Sequence, residues 1–278
     1  NIQRLGMLKI IGATGNVGKR LLEKSLDVWH DDVEAIATRL DKDELEYDFD
    51  SLNHEDVIAF CAAISEPTVC ANNPELARKV NVTKTIEFIE RSTKRGARVV
   101  FLSSDAVYGN IDNQFDEQWQ KDPIGVYGEM KSEVEEYFRG SPDVKVLRSS
   151  FNFFKEDRFT SYLQKCALNH EVAEVFSPFE RSIIHRDDTV DAILSLSRNW
   201  EGPQFINCGG PHTICRSEFA QILKEEVFPS LQIEIVRPPE KFYQDRPGTV
   251  SMISNPLVNV LGRPQRTLRE AIRMEFDV

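Results

Sequence analysis

Short apolar runs alternate with polar, helix-forming stretches through the first 150 residues. Residues 7–11 form an apolar run that ends on a glycine and reads as a buried strand. Residues 19–26 read as a helix, 33–38 as a second strand and 57–61 as a third. Pro74 opens a helical stretch to about residue 95, at a position where a helix tolerates proline. Residues 99–102 form another short β-branched run, 126–139 a helix, and 144–147 a strand. Strands alternating with helices predict an α/β fold, a Rossmann-like doubly wound parallel sheet covered on both faces. After Ser150 the rhythm loosens. Phe151-Asn-Phe-Phe154 begins a region richer in proline, arginine and aromatic residues, with helices near 186–197, 215–228 and 267–276. The expected organisation is a sheet domain over 1–150, with room for later strands to join it, and a smaller lobe over 151–278.

Composition narrows the function classes. With 34 basic and 45 acidic residues, the 278-residue chain carries a formal charge of −11. That balance argues against a nucleic-acid partner, because phosphate neutralisation along a duplex needs Lys and Arg in excess. A small anionic ligand needs only a few placed arginines. The five cysteines (Cys61, Cys70, Cys166, Cys208, Cys215) are odd in number and form no C-x-x-C pair. This speaks against a disulfide scaffold or zinc cluster and for a reducing, cytoplasmic setting. The histidines show no metal-ligand spacing, so no metal is expected. No apolar run approaches the roughly 20 residues that span a bilayer, so no membrane partner is expected either.

Three motifs carry chemistry. Gly12-Ala-Thr-Gly-Asn-Val-Gly18 lies between a predicted strand and a predicted helix. Glycines let the backbone turn sharply and approach a pyrophosphate, and the helix N-terminus offers free N–H groups. Thr14, Asn16 and Val17 ride in the same loop. The alternative is a tight turn with no ligand. The second strand ends at Thr38-Arg39, where a guanidinium suits a 2′-phosphate and so favours NADP(H), with NAD(H) as the other option. The alternative is a solvated surface arginine, with Asp41 and Asp43 close by. Tyr127-Gly-Glu-Met-Lys131 puts a phenol and an ammonium on one helix face. A neighbouring cation favours the phenolate and lowers a pKa that is ordinarily about 10. Ser104, at the end of an apolar strand, faces the crevice where such sheets take ligands.

The glycine pattern, Ser104 and the Tyr127/Lys131 pair, in this order, resemble the extended short-chain dehydrogenase/reductase family (NAD-dependent epimerase/dehydratase). Asn81 in Val80-Asn-Val82, the segment Arg181-Ser-Ile-Ile-His-Arg-Asp-Asp188, Phe205–Pro211 and Arg246-Pro-Gly-Thr-Val250 are similar to further family segments, so the resemblance covers nearly the whole chain. It implies that Tyr127 is the acid or base at a carbinol or ketone, that Lys131 binds the nicotinamide ribose and tunes the tyrosine, and that Ser104 orients the substrate oxygen. It implies that Arg181 and Arg246 hold the pyrophosphate of a nucleotide-sugar substrate. Asp48 and Phe49 match positions that contact adenine, a packed loop being the alternative. Cys61, Ala62 and Ala63 are expected beside the cofactor, and Ser65, Asp105 and Asn152 beside the substrate. His185 reads as a structural hydrogen-bonder.

Within that family the run Ser104-Asp105-Ala106 discriminates. Relatives that eliminate water carry an acidic pair here, and 3,5-epimerases a cysteine. Ala106 has no ionisable group, so both activities are disfavoured. What remains is an NADPH-dependent 4-keto reductase, similar to the dTDP-4-dehydrorhamnose reductases, or a 4-epimerase of the UDP-galactose type that retains NAD. A reading of another class is a non-catalytic, cofactor-binding regulatory subunit. Arg39 tips the balance toward the reductase. A homodimer through the helices at 74–95 and 126–139 is a further expectation from the resemblance.

Overall fold

The computed structural model describes residues 6–110 and 114–278. The chain runs β1 (Leu8–Ile11), α1 (Asn16–Trp29), β2 (Val33–Ile36), β3 (Val57–Phe60), α2 (Pro67–Asn72), α3 (Pro74–Arg78), α4 (Thr85–Thr93), β4 (Arg98–Ser104), β5 (Gln114–Phe115), α5 (Val126–Tyr137) and β6 (Val144–Ser149). It continues through β7 (Asn152–Phe153), α6 (Arg158–Asn169), β8 (Val172–Phe176), β9 (Glu180–Arg181), β10 (Ile184–His185), α7 (Arg186–Arg198) and β11 (Phe205–Cys208). The last elements are β12 (Ile214–Cys215), α8 (Arg216–Glu226), β13 (Gln232–Val236), β14 (Thr249–Met252), α9 (Asn255–Leu261) and α10 (Leu268–Phe276).

Six strands form a wholly parallel sheet in the order β11-β6-β4-β3-β1-β2. The two-residue period of a strand divides its side chains between two cores. Ile11, Phe60, Phe101 and Val146 face one way, against Phe88 of α4 and Val134 of α5. Leu8, Ile10, Ala59, Val100 and Leu147 face the other, against Leu21 of α1, Val190 and Ile193 of α7 and Leu257 of α9. The chain therefore returns to the sheet after Ser150. β11 supplies its edge strand, and α7 and α9 cover one face. Most of the remaining C-terminal elements pack around Phe153, Leu163, Val175, Phe219 and Ile272, a third core that shares no residue with the other two, while Val250 and Met252 of β14 pack with Tyr108 and Phe115 in a small fourth cluster.

The predicted continuous helix from Pro74 is interrupted. Lys79–Lys84 is a π-helical turn between α3 and α4. The turn presents Asn81, whose side chain accepts from the Ile64 N–H and donates to the Ile64 carbonyl, both at 2.8 Å. A widened turn inside a helix is a common way to re-aim one side chain. Here it pins the loop that follows β3.

β2 and β3 lie on opposite sides of β1. Sheet building reverses between β1 and β3, and ligands enter such sheets at the carboxyl ends of the strands beside that reversal. Gly12 follows β1, Cys61 follows β3 and Ser104 ends β4. All three sit at that end.

Candidate functional site

A cavity of about 920 Å³ opens there, walled by both lobes. Gly15, Asn16, Val17 and Gly18 form one end. Gly12 adopts φ +88°, and a Cβ on it would lie 2.6 Å from the Ala62 nitrogen. A Cβ on Gly18 would lie 2.1 Å from the Gly12 carbonyl oxygen. Both glycines are thus required by close backbone approach, which folds the loop so that the start of α1 faces the cavity. No side chain caps that helix and its first turn holds no acidic residue. The free N–H groups and the positive end of the helix dipole suit a pyrophosphate. The residues present therefore fit a dinucleotide at this end. Cys61, Ala63 and Ser65, on the loop held by Asn81, continue the wall, while Ala62 packs beneath Gly12. Burial pushes the Cys61 thiol up to about 12, so it is a wall atom and not a nucleophile.

Ser104, Tyr127 and Lys131 meet in the middle of the cavity. α5 starts at Gly125, whose φ of +82° and close approach to the Asp245 carbonyl bring the 245–248 loop onto the first turn of this helix. Tyr127 and Lys131 follow one turn apart. The Lys131 ammonium donates to the Leu102 carbonyl at 2.9 Å and lies 4.5 Å from the Phe101 ring centroid. Burial pushes its pKa down to about 8, against the raising influence of Cys61 and Glu135. Burial raises the Tyr127 phenol well above its ordinary value, a hydrogen bond from Ser104 pulls it back, and Asp105 raises it further. Tyr127 is thus held as a neutral proton donor. Ser104 Oγ accepts from the Ala106 N–H at 3.1 Å, which fixes the hydroxyl at the end of β4.

The lowered Lys131 pKa makes a stability prediction for the protein free of cofactor. Between about 8 and the usual 10.5 the unfolded chain holds the proton that the folded chain releases. Stability from this group therefore rises with pH across that window, and below it the buried cation carries its full cost. Lys131→Met is expected to be more heat-stable than the wild type near pH 7, with the advantage shrinking toward pH 10. Thermal unfolding at several pH values checks this. An advantage that did not change with pH would contradict it.

Several expected contacts are absent from the cavity. Arg39 is exposed and its fork is engaged by Asp41, at 3.0 and 2.7 Å. Asp48 accepts from the Asp50 N–H and caps a short turn, and Phe49 is buried between Tyr47 and Phe88 with Arg91 stacked over it. The packed-loop alternative describes both. Gly12 shapes the glycine loop and Thr14 is exposed on it, and neither is on the cavity wall. Asn152 is on the wall, but its amide is spent on Ser149, Ser150 and Thr189. Arg181 departs most from the sequence reading. Its guanidinium donates to the Glu180, Gly248 and Pro247 carbonyls and lies 3.6 Å from the Asp105 carboxylate, behind the cavity. Asp105 is likewise turned inward, accepting from Ser150 at 2.8 Å. Only Arg246 of the two expected phosphate ligands is on the wall, anchored by Asp245 and Thr68.

The far half of the cavity holds residues that the sequence reading did not single out, among them Arg158, Tyr162, Phe176, Arg216 and Phe242. One signal for Arg216 was present. It opens a helix, where a cation opposes the dipole, so its placement there needs another reason. His185 bonds Glu275 at 2.7 Å and is structural. Among the described residues no cluster of three His, Cys, Asp or Glu side chains could hold a metal ion, and no helix is long and apolar enough to cross a membrane.

Comparison with known proteins agrees with this fold. UDP-glucuronic acid decarboxylase 3 of Arabidopsis thaliana is 30% identical over 244 residues, covering 80% of this chain and 69% of that protein. A dTDP-4-dehydrorhamnose reductase from Bacillus anthracis, solved with NADP, superposes with a TM-score of 0.83 at 18% identity, covering 98% of this chain and 99% of that one. A UDP-glucuronic acid 4-epimerase from Bacillus cereus, solved with UDP-glucuronic acid and NAD, superposes with a TM-score of 0.80 at 16% identity, covering 98% of both chains. Residues 7–274, from the first strand of the sheet to the last helix, match the RmlD substrate binding domain family, and the chain belongs to that family.

Proposed function

We propose that the protein is an NAD(P)H-dependent reductase of a 4-keto nucleotide-activated sugar, with Tyr127 as general acid. The observation that carries this reading is the convergence of Ser104, Tyr127 and Lys131 in one cavity with the glycine cradle, while position 106 offers no acid, base or thiol. A bound nicotinamide supplies the hydride. Tyr127 donates its proton to the oxygen of the carbonyl being reduced. Ser104 Oγ would hold that oxygen, and Lys131, whose ammonium lies 6.0 Å from the Tyr127 ring centroid, would hold the nicotinamide ribose. Burial keeps the Tyr127 phenol protonated, so the proton that reduction requires is present, but it also makes the phenol a weaker acid than usual, the reverse of the lowering expected from Lys131.

A second reading, a nucleotide-sugar 4-epimerase that retains NAD, has one observation in its favour. With Arg39 turned to Asp41, the guanidinium that suggested a 2′-phosphate is already paired. Cofactor exchange separates the two readings. The reductase is expected to release its bound nucleotide to added NADPH or NADH and to oxidise it when a 4-keto nucleotide sugar is present. Tightly held NAD that survives dialysis, with interconversion of sugar epimers and no net oxidation, would favour the epimerase.

A further inference from the structure

The guanidiniums of Arg158, Arg216 and Arg246 line the far end of the cavity, with Arg181 behind it, and the charges of the other three all act on Arg216. Three of them have a carboxylate partner. Arg158 pairs with Glu66, Arg181 with Asp105 and Arg246 with Asp245. Arg216 has no hydrogen-bond or ion-pair partner for its side chain among the described residues. Its guanidinium instead lies 4.7 Å from the Phe159 ring centroid and 4.5 Å from that of Phe179. Ring faces offer a cation some attraction but give its N–H groups no acceptor. The carboxylate of Asp157, which also acts on it, is spent on the Phe154, Phe159 and Thr160 N–H groups and the Thr160 hydroxyl. Burial, and then the neighbouring charges of Arg181 and Arg246, push Arg216 down to about 10. A mostly buried cation among like charges is costly unless something anionic compensates it.

Arg181 shows the reverse arrangement. Its donors are consumed by three backbone carbonyls and Asp105. We infer that Arg216, on the cavity wall and without an acidic partner, is the principal guanidinium for the diphosphate of the substrate, a role that Arg181 has surrendered to the support of Asp105 and the 247–248 loop. A planar fork between two aromatic faces is pre-oriented for bidentate contact with phosphate oxygens. Arg246, partly engaged by Asp245 and Thr68, flanks it. The inference rests on the nucleotide-sugar reading above.

Calorimetric titration of the full chain with UDP, dTDP and UMP tests it, using wild type, Arg216→Met and Arg216→Lys. Wild type is expected to bind at least one of the two diphosphates. Arg216→Met is expected to weaken that binding by about 10- to 100-fold, the worth of a charge-assisted hydrogen bond or two. The monophosphate should lose less, Arg216→Lys should fall between because an ammonium lacks the fork, and affinity for NADPH or NADH should not change. Heat stability of Arg216→Met should equal or exceed that of wild type, since an uncompensated buried charge is removed. A purely structural arginine would lower it. Unchanged diphosphate affinity in Arg216→Met overturns the assignment to Arg216 while leaving the nucleotide-sugar reading intact. A wild type that binds the nicotinamide cofactor but neither diphosphate overturns both.

Discussion

Turnover of a Tyr127→Phe variant is expected to fall by about 10²–10⁴-fold, with affinity for the nicotinamide cofactor close to that of wild type. The substitution removes one oxygen and leaves the ring, so the packing of α5 against the sheet is retained. What is lost is the proton donor. No other side chain is a ready substitute. The Ser104 hydroxyl is too weak an acid, the Cys61 thiol lies on the loop after β3 among the residues expected beside the cofactor, and Asp105 is buried against Ser150 and Arg181. Lys131, at about 8, is already committed to the Leu102 carbonyl. Steady-state kinetics together with cofactor titration check this. A variant that keeps wild-type turnover would remove Tyr127 from the chemistry.

The second large effect concerns stability. Glu135, on α5 one turn beyond Lys131, is fully buried. It accepts from the Ser103 hydroxyl at 2.6 Å, from Arg148 Nη2 at 2.8 Å and from Lys121 at 3.2 Å. Arg148, 1% exposed, also donates to the Tyr108 hydroxyl at 2.7 Å, and that hydroxyl donates to Asn207 at 2.7 Å. The network ties β4, β6 and β11 to α5, the helix that bears Tyr127 and Lys131. Glu135→Leu would leave the Arg148 guanidinium buried with no ion-pair partner among the described residues. Removing one partner of a buried pair costs about 3–5 kcal/mol, whereas replacing both partners with apolar groups of similar size costs far less. Denaturant unfolding is therefore expected to show a loss of that size for Glu135→Leu and partial recovery in the Glu135→Leu/Arg148→Met double variant. A loss below about 1 kcal/mol, the scale of an exposed pair, would mean that the network does not hold the sheet to α5.

These two residues also show how far the sequence could be read. Tyr127 was legible because its meaning is local. A phenol and an ammonium four residues apart share a face in any helix, and Gly12–Gly18 between a strand and a helix has few other uses. Five of the six strands of the sheet were legible for the same reason, being short apolar runs bounded by turns, whereas β11, which joins from beyond Ser150, was not read as a strand. Glu135 was not. In Lys131-Ser-Glu-Val-Glu-Glu136 it looks like one more charge on a solvated helix face, and only the approach of β6 from elsewhere in the chain buries it against Arg148. Arg181 and Arg216 differ in the same long-range way. Nothing near Arg181 announces that the 247–248 carbonyls will take its donors, and nothing near Arg216 announces that the pairs of its neighbours will leave it alone on the wall. The C-terminal lobe is built from strands as short as two residues, too few for a period to be visible, so β7, β9, β10 and β12 emerge only from their partners. The break at Lys79–Lys84 follows from the tertiary demand that Asn81 reach Ile64, and no propensity predicts it.

The account rests on hydride transfer to a sugar carbonyl, and isotope transfer measures that directly. The protein would be supplied with NADPH or NADH deuterated at the transferable position and with UDP- and dTDP-linked 4-keto sugars. The expected result is one cofactor oxidised for each sugar consumed, with the deuterium found on the ring carbon that had carried the oxo group. Cofactor that binds without being oxidised, or sugar that is converted without acquiring the label, would contradict it.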